Sequence, residues 1–219
     1  QEGFENATFL PTNWSDKNID NDNIFWQRRT SLGGFGTSTA CTMFDNYTYN
    51  CANERDEIRS PKFNFTNVAN VRLRFDVAYA KYDNVYSDSL EVKVSTNCGA
   101  TWTSIYLRGG AQFTTAANTS SQFVPNSTQW RRDSVIISAL TAGQPNVMFA
   151  FINRGHYGQP IYLDNINLVF PTPTLGVVYN SSTCVNGTVN FTNTTAGASN
   201  YTWTSAGASP ASSTGTNAT

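Results

Sequence analysis

Histidine is nearly absent from this 219-residue chain: His156 is the one imidazole, and cysteine occurs only at positions 41, 51, 98 and 184. A His/Cys metal centre needs ligands in close pairs, and neither residue type supplies them. Arg154, Gly155 and Tyr157 around His156 do not form a nucleophile elbow, so a Ser-His-Asp site drops out as well. Charge is scarce. Asp, Glu, Lys and Arg make up 13% of the residues with a formal net charge of −1, and no basic run exceeds the pairs Arg28-Arg29 and Arg131-Arg132. The electrostatic footprint of a nucleic-acid binder is missing. No apolar stretch approaches the length that spans a bilayer. No leader precedes Gln1, so the chain reads as a mature or excised fragment with a trimmed start.

Apolar residues reach 39% and aromatics 13%, enough for a core of ordinary size. Asn, Ser and Thr are abundant, as on β-rich extracellular surfaces that use amides and hydroxyls in place of charge. No segment keeps a helical period. In VRLRFDVAYAKY, Val71, Leu73, Phe75, Val77 and Tyr79 point one way and Arg72, Arg74 and Asp76 the other, which predicts a central strand. SLEVKVS repeats the pattern with Leu90, Val92 and Val94 inward. Trp130 to Ile137 and the apolar run VMFAFI give further strands, and GFENATFL reads as an opening strand with Phe4 and Phe9 as anchors. The glycines of SLGGFG are too irregular for a phosphate-binding fingerprint and mark a loop leading to a short strand. Residues 109–129 are polar and aperiodic, a long excursion of the kind that is more often functional or mobile than accidental.

The stretch IYLDNINLVF closes this region. Ile161 and Leu163 share a face, but Ile166, Leu168 and Phe170 follow in the opposite phase, so the alternation slips at Asp164-Asn165. Such a slip signals a β-bulge; the plainer reading is a surface Asp-Asn bend. About eight to ten strands and no helix predict a jelly-roll β-sandwich over residues 1–170. A Pro/Thr linker over 171–176 then leads to residues 177–219, too poor in apolar side chains for a full core, and read as a partial immunoglobulin-like β segment in which Val189 and Phe191, with Tyr201 and Trp203, alternate.

Several groups are candidates for function. Asp16, Asp20 and Asp22 crowd an Asn-rich loop between Trp14 and Trp26, and oxygen ligands on a flexible backbone suit Ca²⁺, although such loops also occur as solvated turns. Edge strands meeting near the two ends of this domain would bring Glu5 close to Asp164. Tyr47, Tyr49, Tyr82, Tyr86 and Tyr157 fall in turn segments, with Asn84 and Arg154 as polar neighbours; rings of this kind stack on sugars, and tyrosine is equally ordinary strand packing. Cys41 and Cys51 are placed to close a short disulfide in an oxidising compartment, which leaves Cys98 and Cys184 in different domains.

The segments VRLRFDVAYAKY, YSDSLEVKVSTNCGATW, FVPNSTQWRRDSV and YGQPIYLDNINL resemble, in order, a secreted jelly-roll domain of Bacteroidetes. That domain is found after pappalysin-like metallopeptidase domains, and is similar in architecture to MAM domains and to the cleaved-adhesin domains of gingipains. CVNGTVNFTNTTAGASNYTW resembles the opening strands of a PKD domain. The resemblance implies a structural calcium ion held by Glu5, by Asp20 or Asp22, and by Asp164, together with export by a type IX system. It also makes the Asp-Ser-aliphatic triplets at Ser89 and Ser134 similar to O-glycosylation sites, although both read equally as plain strand residues. The expected protein is therefore a non-catalytic, secreted or cell-surface adhesion or glycan-binding module. Its partners would be a glycan or matrix ligand and the rest of a larger parent chain, with Tyr82, Asn84, Tyr86, Arg154 and Tyr157 at the ligand. The alternative is a structural spacer of a larger secreted metallopeptidase or adhesin.

Overall fold

The structure is a computed structural model that describes residues 1–52, 55–170, 176–180, 188–195, 201–204, 206–207, 209 and 212–217. The chain divides into two compact units, Gln1–Phe170 and Pro171–Thr219. In the first, alternation of apolar and polar residues has produced two five-stranded antiparallel sheets. One runs β1 (Ser15–Lys17), β4 (Glu57–Arg59), β9 (Met148–Arg154), β6 (Ser89–Ser95), β7 (Thr103–Gly109). The other runs β2 (Gln27–Thr30), β3 (Ala40–Phe44), β10 (Ile161–Val169), β5 (Arg72–Ala78), β8 (Arg131–Ile136). A short helix, α1 (Ser138–Thr141), is an exception to the expected all-strand pattern.

The inward faces are those the alternation predicts. Val71, Leu73, Phe75, Val77 and Tyr79 meet Leu90, Val92, Val94, Phe149 and Phe151 in one core. Phe75 sits edge-on to Tyr106 at 5.2 Å and to Phe151 at 5.5 Å between ring centroids, a geometry that aligns ring edges with ring faces. In β10 the register against β5 shifts between Asp164 and Asn167. The phase slip is thus a bulge, with Asn165 at φ 49°.

The excursion after β7 is a cover, not an open loop. Phe123 and Trp130 lie over Cys41, Met43, Ala78, Ala80 and Tyr162 on the outer face of the second sheet. Backbone bonds from Thr115 N–H to the Tyr79 carbonyl (2.7 Å) and from Thr119 N–H to that of Lys81 (3.0 Å) pin it down. The Tyr162 hydroxyl donates to the Phe123 carbonyl at 2.8 Å.

Two expectations fail. GFENATFL does not form a strand: Phe4 turns to φ 56° and buries its ring, Arg28 takes the Phe4 and Glu5 carbonyls, and only Glu2 bridges to Ile166. The Cys41–Cys51 disulfide does not form either. Cys41 is a buried free thiol in the outer cluster, while Cys51 belongs to the inner core, so the two sulfurs fall in different clusters. Cys98 is an exposed thiol, and Cys184 and the linker lie outside the described residues.

In the second unit β11 (Val177–Tyr179) pairs with β12 (Phe191–Asn193), and β13 (Trp203–Thr204) with β14 (Ser212–Ser213). Phe191 lies 6.0 Å from both Tyr179 and Trp203.

Truncating Phe75 to Ala removes the ring that both sheets share. The expected loss is about 3–5 kcal/mol, read as a lower urea midpoint at unchanged m-value. A shift below about 1 kcal/mol would show that the two sheets do not depend on this contact.

Candidate functional site

Strand order and register place five sheet-to-sheet connections at one end of the sandwich: residues 18–26, 45–56, 79–88, 110–130 and 155–160. The tyrosines sit here. Asp83 shapes its own turn by accepting the Val85 and Tyr86 N–H groups, both at 2.7 Å, as an Asp does in a tight turn. Lys81 donates to Asn84 at 3.0 Å.

One buried carboxylate organises the neighbouring loop. Asp88 accepts the N–H groups of His156 (2.7 Å), Gly158 (3.3 Å) and Gln159 (2.8 Å), and also the Tyr79 hydroxyl. Burial pushes its pKa up, and those donors oppose the rise. Gly158 must be glycine, because a Cβ there would stand 2.3 Å from an Asp88 oxygen. The sequence marked Asp88 only as the first residue of the Asp-Ser-aliphatic triplet at Ser89; its structural role was not visible there, since its partners are mostly main-chain amides.

With the loops so fixed, the rings form a row. Tyr47 lies 6.5 Å from Tyr82, Tyr82 6.2 Å from Tyr86, and Tyr86 5.9 Å from Tyr157. His156 joins at 6.3 Å from Tyr86. Tyr86 and Tyr157 are 41% and 46% exposed. Among the described residues Tyr49 makes no ring contact with this row, and the Arg154 guanidinium is held by Glu91 at 2.9 Å.

The four carboxylates expected around one cation fall into two places. Glu5 and Asp164 flank Gly3, whose added Cβ would be 3.8 Å from Glu5 Cγ and 3.5 Å from Asp164 Oδ1. Burial raises Glu5, but donors from Thr39, Ser38 and Ala40 prevail and hold it at about 2. Asp164 is raised to about 6 by burial, with the Asp76 charge adding to it, against bonds from Ser38, Gly34 N–H and Asn165 N–H. Asp20 and Asp22 lie elsewhere, beside Asp56. That residue is 1% exposed; its Oδ1 accepts Ile19 N–H at 2.9 Å, and its Oδ2 has no hydrogen-bond partner. Burial, then the charges of Asp22, Asp20 and Asp16, push Asp56 to about 6 against the Ile19 bond. Among the described residues no three acidic, His or Cys side chains converge as a ready cage. The unanswered Asp56 oxygen is what fits a cation, because a buried carboxylate oxygen without a partner is costly.

No family model and no curated protein matches the sequence. Solved structures do. The K1 cleaved adhesin domain of Lys-gingipain from Porphyromonas gingivalis W83 superposes with a TM-score of 0.54 at 20% identity, covering 78% of this chain and 97% of that one. The K3 domain gives 0.54 at 18%, covering 77% and 97%. The K2 domain gives 0.50 at 20%, covering 77% and 98%. What this chain has in common with these adhesin domains is the antiparallel β-sandwich fold.

Proposed function

We propose that residues 1–170 form a non-catalytic adhesion or glycan-binding module of a secreted or cell-surface protein, with calcium as a stabilising ion. The row Tyr47, Tyr82, Tyr86 and Tyr157 carries this reading. Sugar rings present apolar C–H faces, and half-exposed tyrosines on loops fixed by buried hydrogen bonds meet them with little entropy left to lose. Asn84, exposed on the same turn, serves hydroxyls; the charge of Arg154 is answered by Glu91, which leaves it a lesser part. His156 has a place in the row as a ring. The domains of like fold are adhesins by name, which suits such a role. No described helix is long and apolar enough to cross a membrane. The spacer alternative draws on the second β unit, the proposed start of a PKD-like domain in a larger chain.

A glycan array on the folded protein tests the choice. Selective binding that Tyr86→Ala and Tyr157→Ala each weaken by about tenfold, at unchanged melting temperature, is the expected result for a lectin-like surface. A folded protein that binds no glycan leaves the spacer reading.

Calcium suits both carboxylate groups, since it takes oxygen ligands in flexible geometry; Asp20, Asp22 and Asp56 would hold it at one place, Glu5 and Asp164 at the other. Binding only the folded state, it adds about 2.7 kcal/mol at a hundredfold excess over its dissociation constant. Chelator is therefore expected to lower the melting temperature. Asp56 and Asp164, at about 6, lie above the ordinary 3.8, so in chelator their contribution is full below pH 3.8 and lost as pH rises through 6. Glu5, at about 2, acts oppositely: its contribution is present above 4.5 and lost toward pH 2. The calcium-induced rise in melting temperature should thus grow between pH 5 and 7, where these two acids ionise. Asp56→Asn or Asp164→Asn abolishes that rise according to which group binds, and persistence of the rise in the double variant would remove calcium from both places.

A further inference from the structure

The loop over Gly33, Gly34, Phe35 and Gly36 holds an aromatic ring in the open by means of buried groups. Asp76, fully buried on β5, accepts the Phe35 N–H at 3.0 Å. Asn165, on the bulge of β10, donates its amide to the Phe35 carbonyl and to Asp76, both at 2.9 Å. Both main-chain polar groups of Phe35 are thereby engaged. Gly34 permits this approach, for a Cβ would stand 2.8 Å from Asp76 Oδ2 and 3.0 Å from Asn165 Nδ2. Arg132, locked on Asp76 by bonds of 2.7 and 3.0 Å, lays its guanidinium 5.1 Å from the centre of the Phe35 ring. The ring itself remains 41% exposed. A singly exposed apolar side chain is ordinary; one whose backbone and neighbouring cation are both fixed from below is preorganised for a ligand.

Phe35 borders a cleft of about 570 Å³ that is lined also by Arg74, Arg132, Asn165, Asn6 and Glu2. Its size is that of small-ligand sites. The charges across it are unequally answered. Arg132 is neutralised by Asp76, while Glu5 on the rim keeps its charge and is turned toward Ser38, Thr39 and Ala40, whose hydroxyl and amide groups donate to it. Glu2 accepts the Phe4 N–H at 2.6 Å. Arg74, on the outward face of β5, has no ion pair among the described residues.

We propose that this cleft is a second binding site, distinct from the tyrosine row, for a saccharide unit that carries a carboxylate. The apolar face of the sugar stacks on Phe35, its carboxylate pairs with Arg74, and its hydroxyls reach Asn6 and Glu2. A guanidinium forks onto a carboxylate in the plane that such a pairing requires.

Calorimetry on the full chain tests this with uronate-containing and sialylated oligosaccharides and with neutral oligosaccharides of equal length. Wild-type protein is expected to prefer the acidic set. Phe35→Ala should weaken binding by about tenfold or more, and Arg74→Gln should erase the preference for acid. Phe35→Leu, which keeps apolar bulk without a ring, replaces Phe35→Ala if that variant melts early. Absence of binding to every acidic oligosaccharide by folded protein would overturn the proposal. So would equal affinity for neutral sugars, or loss in Tyr86→Ala with none in the Phe35 variants; the last would assign all sugar binding to the tyrosine row.

Discussion

The bulge in β10 is the constraint on which the flank of the second sheet depends. An extra residue in one strand leaves its backbone out of the ladder and turns adjacent side chains to the same side. Here it brings Asp164 and Asn165 together: Asp164 accepts the Gly34 N–H at 2.5 Å, and Asn165 holds the Phe35 carbonyl. The strand also captures the start of the chain through the Glu2–Ile166 bridge. A continuous strand would send Asp164 and Asn165 to opposite faces, and the glycine loop would lose one of its two clamps.

The bulge was legible because period-two alternation has a phase, and Ile161 and Leu163 stand out of step with Ile166 and Leu168. The inward faces of β5 and β6 were legible on the same ground. Where side chains alternate less, reading failed for identifiable reasons. Phe4 and Phe9 look like strand anchors, yet Phe4 enters the core from a left-handed turn, a conformation that apolar spacing does not encode. Cys41 and Cys51 look like a pair along the chain; β3 sends Cys41 to its outer face, away from the core that holds Cys51.

The candidate surfaces show the same division. Individual tyrosines were visible as turn aromatics, and their assembly into a row was not, because it depends on three sheet crossings emerging at one end. Asp88 and Asp56 were invisible as participants. Their importance lies in which main-chain groups they meet or fail to meet, and those partners are distant in sequence: Asp88 reaches 68 to 71 residues ahead, and Asp56 reaches 37 behind. Phe35 likewise becomes notable only once Asp76 and Asn165 are seen beneath it. The acidic residues expected around one ion separate because Asp20 and Asp22 ride the 18–26 crossing at the loop end, beside Asp56, while Asp164 sits on the bulge within β10.

Asp88 holds the loop that bears Tyr157 through amide hydrogens, and an amide hydrogen is the same whatever side chain follows it. Gly155 and Gly158 have no room for a Cβ and the buried Gln159 side chain ties down Phe123, Thr119 and Ser121, but the exposed His156 can be exchanged without loosening that anchor. A change at His156 thus alters what the loop end displays while leaving its shape unaltered.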